Sequence, residues 1–174
     1  LNTKVSDRWH TGLYLHGNTR TLKSDNNDDG FLDLPLAKQV NVMNRWQYTD
    51  GENGFVSFIN VHAMRDEKQT GQLDFDPDRD KLTTNFWGSE INTERYDVSA
   101  KLGWVNPEIP YQSIGVQTAF SYHNQESYFG LRVYNIEHQS FYGNAMYNSI
   151  ISDSRHKVKM GVSFTYDQYE ELVL

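Results

Sequence analysis

Tyr96-Asp97-Val98-Ser99-Ala100-Lys101-Leu102-Gly103-Trp104-Val105 is the stretch that decides the fold. Tyr96, Val98, Ala100, Leu102 and Trp104 alternate with Asp97, Ser99, Lys101 and Gly103. A period of two sends apolar side chains to one face of a β-strand and polar ones to the other. The same period returns on both sides. Ile114, Val116, Thr118, Phe120 and Tyr122 alternate with Gly115, Gln117, Ala119, Ser121 and His123, and Val158, Met160, Val162, Phe164 and Tyr166 alternate with Lys157, Lys159, Gly161, Ser163 and Thr165. Weaker alternation covers Trp9–Gly17, Val40–Tyr48, Phe55–Met64 and Val133–Ile150. The pattern predicts an all-β chain, an antiparallel up-and-down meander of about seven long strands forming a single unit over residues 1–174, with no helix.

These strands are about 9 to 14 residues long, beyond the usual five or six of soluble sheets and suited to a tilted strand crossing a bilayer. The connections alternate as well. Long polar loops are expected at Asn18–Gln39 and Asp66–Thr93, a polar connection at Asn124–Gly130, and short turns at Asp50–Gly54, Asn106–Gln112 and Ser152–Arg155. Long and short connections on opposite ends of a sheet are the layout of an outer-membrane β-barrel. Trp9, Trp46, Tyr48, Trp104, Tyr111, Tyr122, Tyr147, Tyr166 and Tyr169 fall mostly near strand ends, where interfacial aromatic girdles sit. An odd number of strands does not close a bacterial barrel, and open edges leave unpaired backbone groups. The chain is therefore expected to be part of a larger barrel, or to cover its edges by self-association with another copy.

Composition narrows the function classes. The 174 residues contain no cysteine, which excludes disulfides, thiolate nucleophiles and thiolate metal sites. With 16 Lys+Arg against 23 Asp+Glu, the net charge of -7 argues against a phosphate-tracking nucleic-acid binder. An aromatic content of 14% does not fit a disordered acidic chain. The mean hydropathy of -0.72 suits a small acidic soluble domain when taken whole. Split by strand face and by loop, it equally suits a membrane sheet with one polar face, because each segment of such a barrel is only weakly hydrophobic. No apolar run approaches the roughly 18 residues of a membrane helix.

The first long loop contains Asp25-Asn26-Asn27-Asp28-Asp29-Gly30-Phe31-Leu32-Asp33. Oxygen side chains at Asp25, Asn27, Asp29 and Asp33, a turn at Gly30 and the carbonyl of Phe31 reproduce the front half of an EF-hand-type calcium loop. Leu36 stands where the closing bidentate Glu would be. The second loop alternates Asp74, Asp76, Asp78 and Asp80 and could complete a calcium site; otherwise these are solvated acidic loops. So many carboxylates close together repel one another unless a cation or an Arg neutralises them. Catalytic signatures are sparse: none of the six histidines sits in a zinc pattern, and there is no Gly-x-Ser-x-Gly elbow or phosphate-binding loop. His62 and His123, near strand tops, are the candidates for chemistry; as polar residues facing the lumen they need no catalytic role.

The stretch Asp25–Pro35 with Asp29-Gly30-Phe31-Leu32-Asp33-Leu34-Pro35-Leu36, then Asn44-Arg45-Trp46-Gln47-Tyr48 and Met64-Arg65-Asp66-Glu67-Lys68-Gln69-Thr70-Gly71-Gln72, resembles the barrel portion of Bacteroides-type TonB-dependent outer-membrane receptors. The resemblance covers most of the chain and places it in the middle of such a barrel. It implies a barrel of about 22 strands, in the outer-membrane lipid, surrounding the receptor's own plug domain and energised through TonB, and importing a scarce nutrient such as an iron siderophore, haem or cobalamin. Calcium-ordered, Asp-rich extracellular loops of cobalamin receptors tilt the expectation slightly toward cobalamin over a siderophore. Ligand contacts are expected from Phe75, Phe86, Trp87, Tyr128 and Phe129 in the loops, which could alternatively be hydrophobes that anchor the loops. On this reading the chain performs no covalent chemistry. The competing classes are an outer-membrane barrel enzyme and a soluble β-sandwich that binds carbohydrate.

Overall fold

A computed structural model describes residues 1–174, apart from the side chain of Ser154. It is an all-β antiparallel meander: one eight-stranded sheet in which every strand pairs with its sequence neighbours, in the order β1 to β8. The strands are β1 (Asn2–Lys4), β2 (Trp9–Arg20), β3 (Leu36–Asp50), β4 (Phe55–Gly71), β5 (Gly88–Val105), β6 (Ser113–Phe129), β7 (Arg132–Ile151) and β8 (Asp153–Val173), with one short helix, α1 (Pro77–Asp80), between β4 and β5. No helix among the described residues is long and apolar enough to cross a membrane.

The structure departs from the pattern-based expectation in four places, one of them the single-turn helix α1 within the loop expected over Asp66–Thr93. The eighth strand, β1, is a three-residue edge piece too short to show a period. The remaining strands reach 12 to 21 residues, because pairing continues where apolar alternation stops. Thus β4 carries Arg65, Glu67 and Gln69 on one face and Asp66, Lys68 and Thr70 on the other, so the ladder persists without a hydrophobic signal. For the same reason Asn124–Phe129 is strand and not loop, and β6 turns into β7 through Gly130 and Leu131 alone, with Gly130 at φ 60°.

Register fixes the two faces. Val61 stands opposite Val98, Val98 opposite Phe120, Phe120 opposite Phe141 and Phe141 opposite Tyr166. Partners across a ladder share a face, so this row and the parallel row Phe55, Trp104, Ile114, Tyr147 and Met160 belong to one apolar band on one face. The band spans about 27 Å along β5, from Tyr96 to Trp104, at some 3.4 Å per residue. Trp9 packs on Tyr48 (5.0 Å between ring centroids) and on Trp46 (6.2 Å) at its lower margin, and Tyr96 stacks on Tyr122 (6.3 Å) at its upper margin. Tyr169 falls outside this arrangement. It lies on the opposite, polar face, stacked on His138 at 4.1 Å.

No second layer covers the band. Leu15 is 70% exposed, Val162 69% and Phe164 59%, whereas the buried large apolar side chains among the described residues are Leu32, Phe75 and Tyr128. That small core sits at the upper end, where residues 21–35 and 72–87 pack together. The lower end carries the turns at residues 5–8, 51–54 and 106–112 and the reversal at Ser152.

The β3–β4 turn is held by Asp50, which accepts hydrogen bonds from Asn53 N (3.2 Å) and Asn53 Nδ2 (2.9 Å) and pairs with Arg8 at 2.7 Å. Gly54 sits at φ 68°, and a Cβ there would overlap the Val105 carbonyl oxygen, while Gly51 has open space around it. Gly54→Ala is expected to destabilise the sheet by about 2 kcal/mol or more, from left-handed strain plus the clash. Gly51→Ala is expected to be near neutral. Urea midpoints of the two variants check the difference; equal midpoints would contradict it.

Candidate functional site: polar face and upper loops

The polar face carries cross-strand networks that strand register alone creates. His62 on β4 lies opposite Asp97 on β5, and its Nδ1 is 2.7 Å from Asp97 Oδ2 while Nε2 is 3.0 Å from Asn41 Oδ1. Arg95 donates to both Asp97 oxygens, from Nε at 3.0 and 3.1 Å and from Nη2 at 3.0 Å. Farther along the sheet, His138 Nε2 meets Asp167 Oδ1 at 3.0 Å, with the Tyr169 ring parallel to the imidazole. His123 stands between these groups, opposite Arg95 on β5 and His138 on β7. The two candidate histidines therefore share the polar face. At His62 the position facing Nε2, where a nucleophile would stand, holds the Asn41 amide. The sequence shows no His–carboxylate spacing because the partners lie on different strands.

In the upper loops, residues 21–35 and 72–87 join through backbone bonds. Leu32 N donates to Gly71 O and Leu73 N to Gly30 O, both at 2.9 Å; Phe31 bridges Gln72, and Lys23 Nζ donates to Leu73 O. The acidic side chains turn into their own loops. Asp25 accepts from Asp29 N (3.2 Å) and Gly30 N (2.9 Å), Asp29 from Phe31 N (2.8 Å), and Asp33 from Asn26 N (2.8 Å). Asn27 Nδ2 donates to Asp29 Oδ2 at 2.9 Å. Asp25, Asn27, Asp29 and Asp33 are thus each engaged within the loop itself. Among the described residues no three His, Asp or Glu side chains come together as a metal site.

In the second loop the neutralising group is an Arg. Asp76 caps α1 by accepting from Asp78 N at 3.1 Å, and Pro77 opens the helix, an Asp-Pro start signal present in the sequence. Asp80 is 1% exposed, pairs with Arg79 at 2.8 Å and accepts from Asp76 N at 3.0 Å. Arg79 in turn bonds Asp74 O (3.0 Å) and covers the Phe86 ring. The Arg79 hydrogen bond, helped by the Asp76 backbone and the Arg79 charge, holds the Asp80 carboxyl down at about 2 although burial pushes the other way.

The five loop aromatics divide by burial. Phe75 and Tyr128 are each 3% exposed and pack 6.5 Å apart, so they anchor the loop and do not present a surface. The Tyr128 hydroxyl donates to Glu90 Oε2 at 2.8 Å, and burial together with that carboxylate pushes the phenol well up. Phe86 is half-buried, whereas Trp87 and Phe129 are exposed. Trp87 bridges the upper connections: its ring lies 6.3 Å from Phe31, and its Nε1 would stand 2.8 Å from a Cβ at Gly130. Only glycine lets the indole lie so close to the hairpin tip.

No family model, no curated protein and no solved structure matches this chain.

The Asp80 carboxyl is lowered by folding, so it stabilises the loop above its unfolded value near 3.9 and that contribution disappears as pH falls toward 2. Near-ultraviolet circular dichroism from Phe75, Trp87 and Tyr128 is expected to be flat from neutral pH to about 4 and to decay between about 4 and 2. At neutral pH, Asp80→Asn is expected to open Arg79 and Lys81 to trypsin. A decay centred well above 4, or an unaltered digestion pattern, would count against the clamp.

Proposed function

We propose that this chain is a β-barrel segment of an outer-membrane TonB-dependent receptor that imports a scarce nutrient, cobalamin or an iron siderophore, captured by its extracellular loops. The observation that carries the reading is the uncovered apolar band. A continuous apolar face bounded by aromatic rows, backed by a polar face and with a core confined to the upper loops, is stable where lipid covers the band. Each large side chain moved from water into lipid contributes about 1.5 kcal/mol or more. The polar face then lines the lumen around the receptor's plug domain, and the edge of β2 beyond β1 and the edge of β8 pair with further strands, as a bilayer requires. The resemblance of Asp25–Pro35, Asn44–Tyr48 and Met64–Gln72 to Bacteroides-type receptors supports the nutrient and the TonB coupling. Calcium in the first loop enters this proposal on the spacing of Asp25, Asn27, Asp29 and Asp33 with the Phe31 carbonyl.

The membrane part is tested by refolding. The chain is expected to give monodisperse β-sheet in detergent micelles or lipid vesicles and to aggregate in plain buffer; a folded monomer in plain buffer would sink it. In vesicles, Val98→Arg is expected to cost about 2–4 kcal/mol, as for a charge facing lipid, and the neighbouring Ser99→Arg on the polar face much less.

The nutrient part is tested by tryptophan quenching with cyanocobalamin and with a ferric siderophore, with calcium present or chelated. One of the two is expected to bind, more tightly with calcium, and Trp87→Ala is expected to weaken it about tenfold, the loss of one stacked aromatic. Binding of neither to the folded protein would remove the nutrient assignment, and indifference to chelation would remove the calcium.

A further inference from the structure

The polar face is divided in charge along its height. In its upper half this face carries carboxylates, three of them paired, Asp66 with Lys68 at 2.7 Å, Asp97 with His62 and Arg95, and Asp167 with His138, with Glu171 beside them on β8. In the lower half, register places Lys4, His10, Arg45, Lys101, Lys157 and Lys159 on this face and, among the described residues, no Asp or Glu. Lys4 is tied to Asp7 at 2.7 Å. Arg45, Lys101, Lys157 and Lys159 are exposed and, among the described residues, join no ion pair. Arg45 lies 4.7 Å over the Phe58 ring, and Lys157 Nζ lies 5.8 Å from that of Tyr111.

In a sheet with lipid behind it, Arg45 and Lys101 occupy rows whose opposite face is the apolar band, and Lys159 and Lys157 lie just below its lower margin. Like charges on a wall backed by a low dielectric repel one another and gain from anions placed before them. They extend from β3 to β8, about 24 Å at some 4.8 Å per strand, too far apart for one small anion to meet them together. The chain as a whole is acidic, at net charge -7, so the attraction is local to this half of one face.

We propose that the lower half of the polar face docks the acidic surface of a polypeptide domain, whose carboxylates meet Arg45, Lys101, Lys157 and Lys159. The inference rests on the barrel reading, in which the polar face surrounds a plug domain, and it adds the sign and height of the contact.

The test uses the whole chain refolded in neutral detergent. The probes are a labelled oligoglutamate peptide, an oligolysine peptide of the same length, sulfate and a single-stranded oligonucleotide. Oligoglutamate is expected to bind with an affinity that falls as salt rises and to be displaced poorly by sulfate or the oligonucleotide, while oligolysine does not bind. The triple variant R45Q/K101Q/K159Q is expected to bind about tenfold more weakly. K101Q/K159Q, which leaves the Arg45–Phe58 contact in place, should fall between, and K38Q/R65Q on the other face should match the parent. Unchanged binding in the triple variant, equal binding of oligolysine, or preference for sulfate or the oligonucleotide would overturn the proposal. Detergent dependence separates the two ideas. A chain folded in plain buffer that still binds oligoglutamate through these residues loses the lipid and keeps the docking face; a detergent-dependent chain indifferent to oligoglutamate does the reverse.

Discussion

Backbone pairing from β2 to β8 fixes the parity of every side chain, and everything else in the molecule follows from that constraint. Because Val61, Val98, Phe120, Phe141 and Tyr166 stand in one row, the residues between them are committed to the other face. A slip of one residue in any ladder would carry Asp97 or Asp167 into the apolar band and Val98 or Tyr166 onto the polar face. The charge pairs of the polar face and the continuity of the band thus select the same register, and each supports the other. The single-residue reversal at Ser152 and the two-residue tip at Gly130 leave little length over which a slip could be absorbed.

The meander, its lower turns and the apolar face are legible in the sequence wherever one face is apolar and the other polar. Tyr96–Val105 and Val158–Tyr166 are the clearest cases. Legibility stops where both faces become polar, as in Arg65–Gly71 and Asn124–Phe129, although the hydrogen-bond ladder runs on unchanged. Apolar periodicity needs an apolar set of side chains on one face, and above the band polar side chains stand on both. The His62–Asp97 and His138–Asp167 pairs depend on register across hairpins, which no single segment contains. The short helix α1 departs from the loop expected over Asp66–Thr93, although the Asp76-Pro77 pair that opens it is a helix start signal. The alternating carboxylates around it point to a cation from spacing alone, while in the structure Arg79 supplies the positive charge beside Asp80. Phe75 and Tyr128 illustrate a related limit, since an aromatic in a polar loop reads the same whether it faces a ligand or plugs the loop.

The two ends of the sheet are built on different principles. At the lower end short turns are closed by local bonds, such as Asp50 to Asn53, and aromatics pack along the margin of the band. At the upper end the loops are held by a miniature core, by α1 and by backbone bonds between segments distant in sequence. Trp87 lies beside Phe31 of the first loop, bonds Gln72 at the start of the second and closes on the Gly130 hairpin tip. Its exposure is therefore that of a side chain already fixed from below, and a partner stacking on it would surrender little rotamer freedom.

The strands do not stop where the apolar band stops. From Ala63, β4 continues as paired strand to Gly71, about 27 Å further at some 3.4 Å per residue. The upper loops are therefore carried on a stiff ribbon instead of hanging on tethers. Trp87 stands at the far end of this extension, and the aromatic row at Tyr96 and Tyr122 stands at its base. The polar-face groups nearest that base are His62, Asp97 and His123, so the rigid pairing of the extension joins the loop tips directly to the charged network.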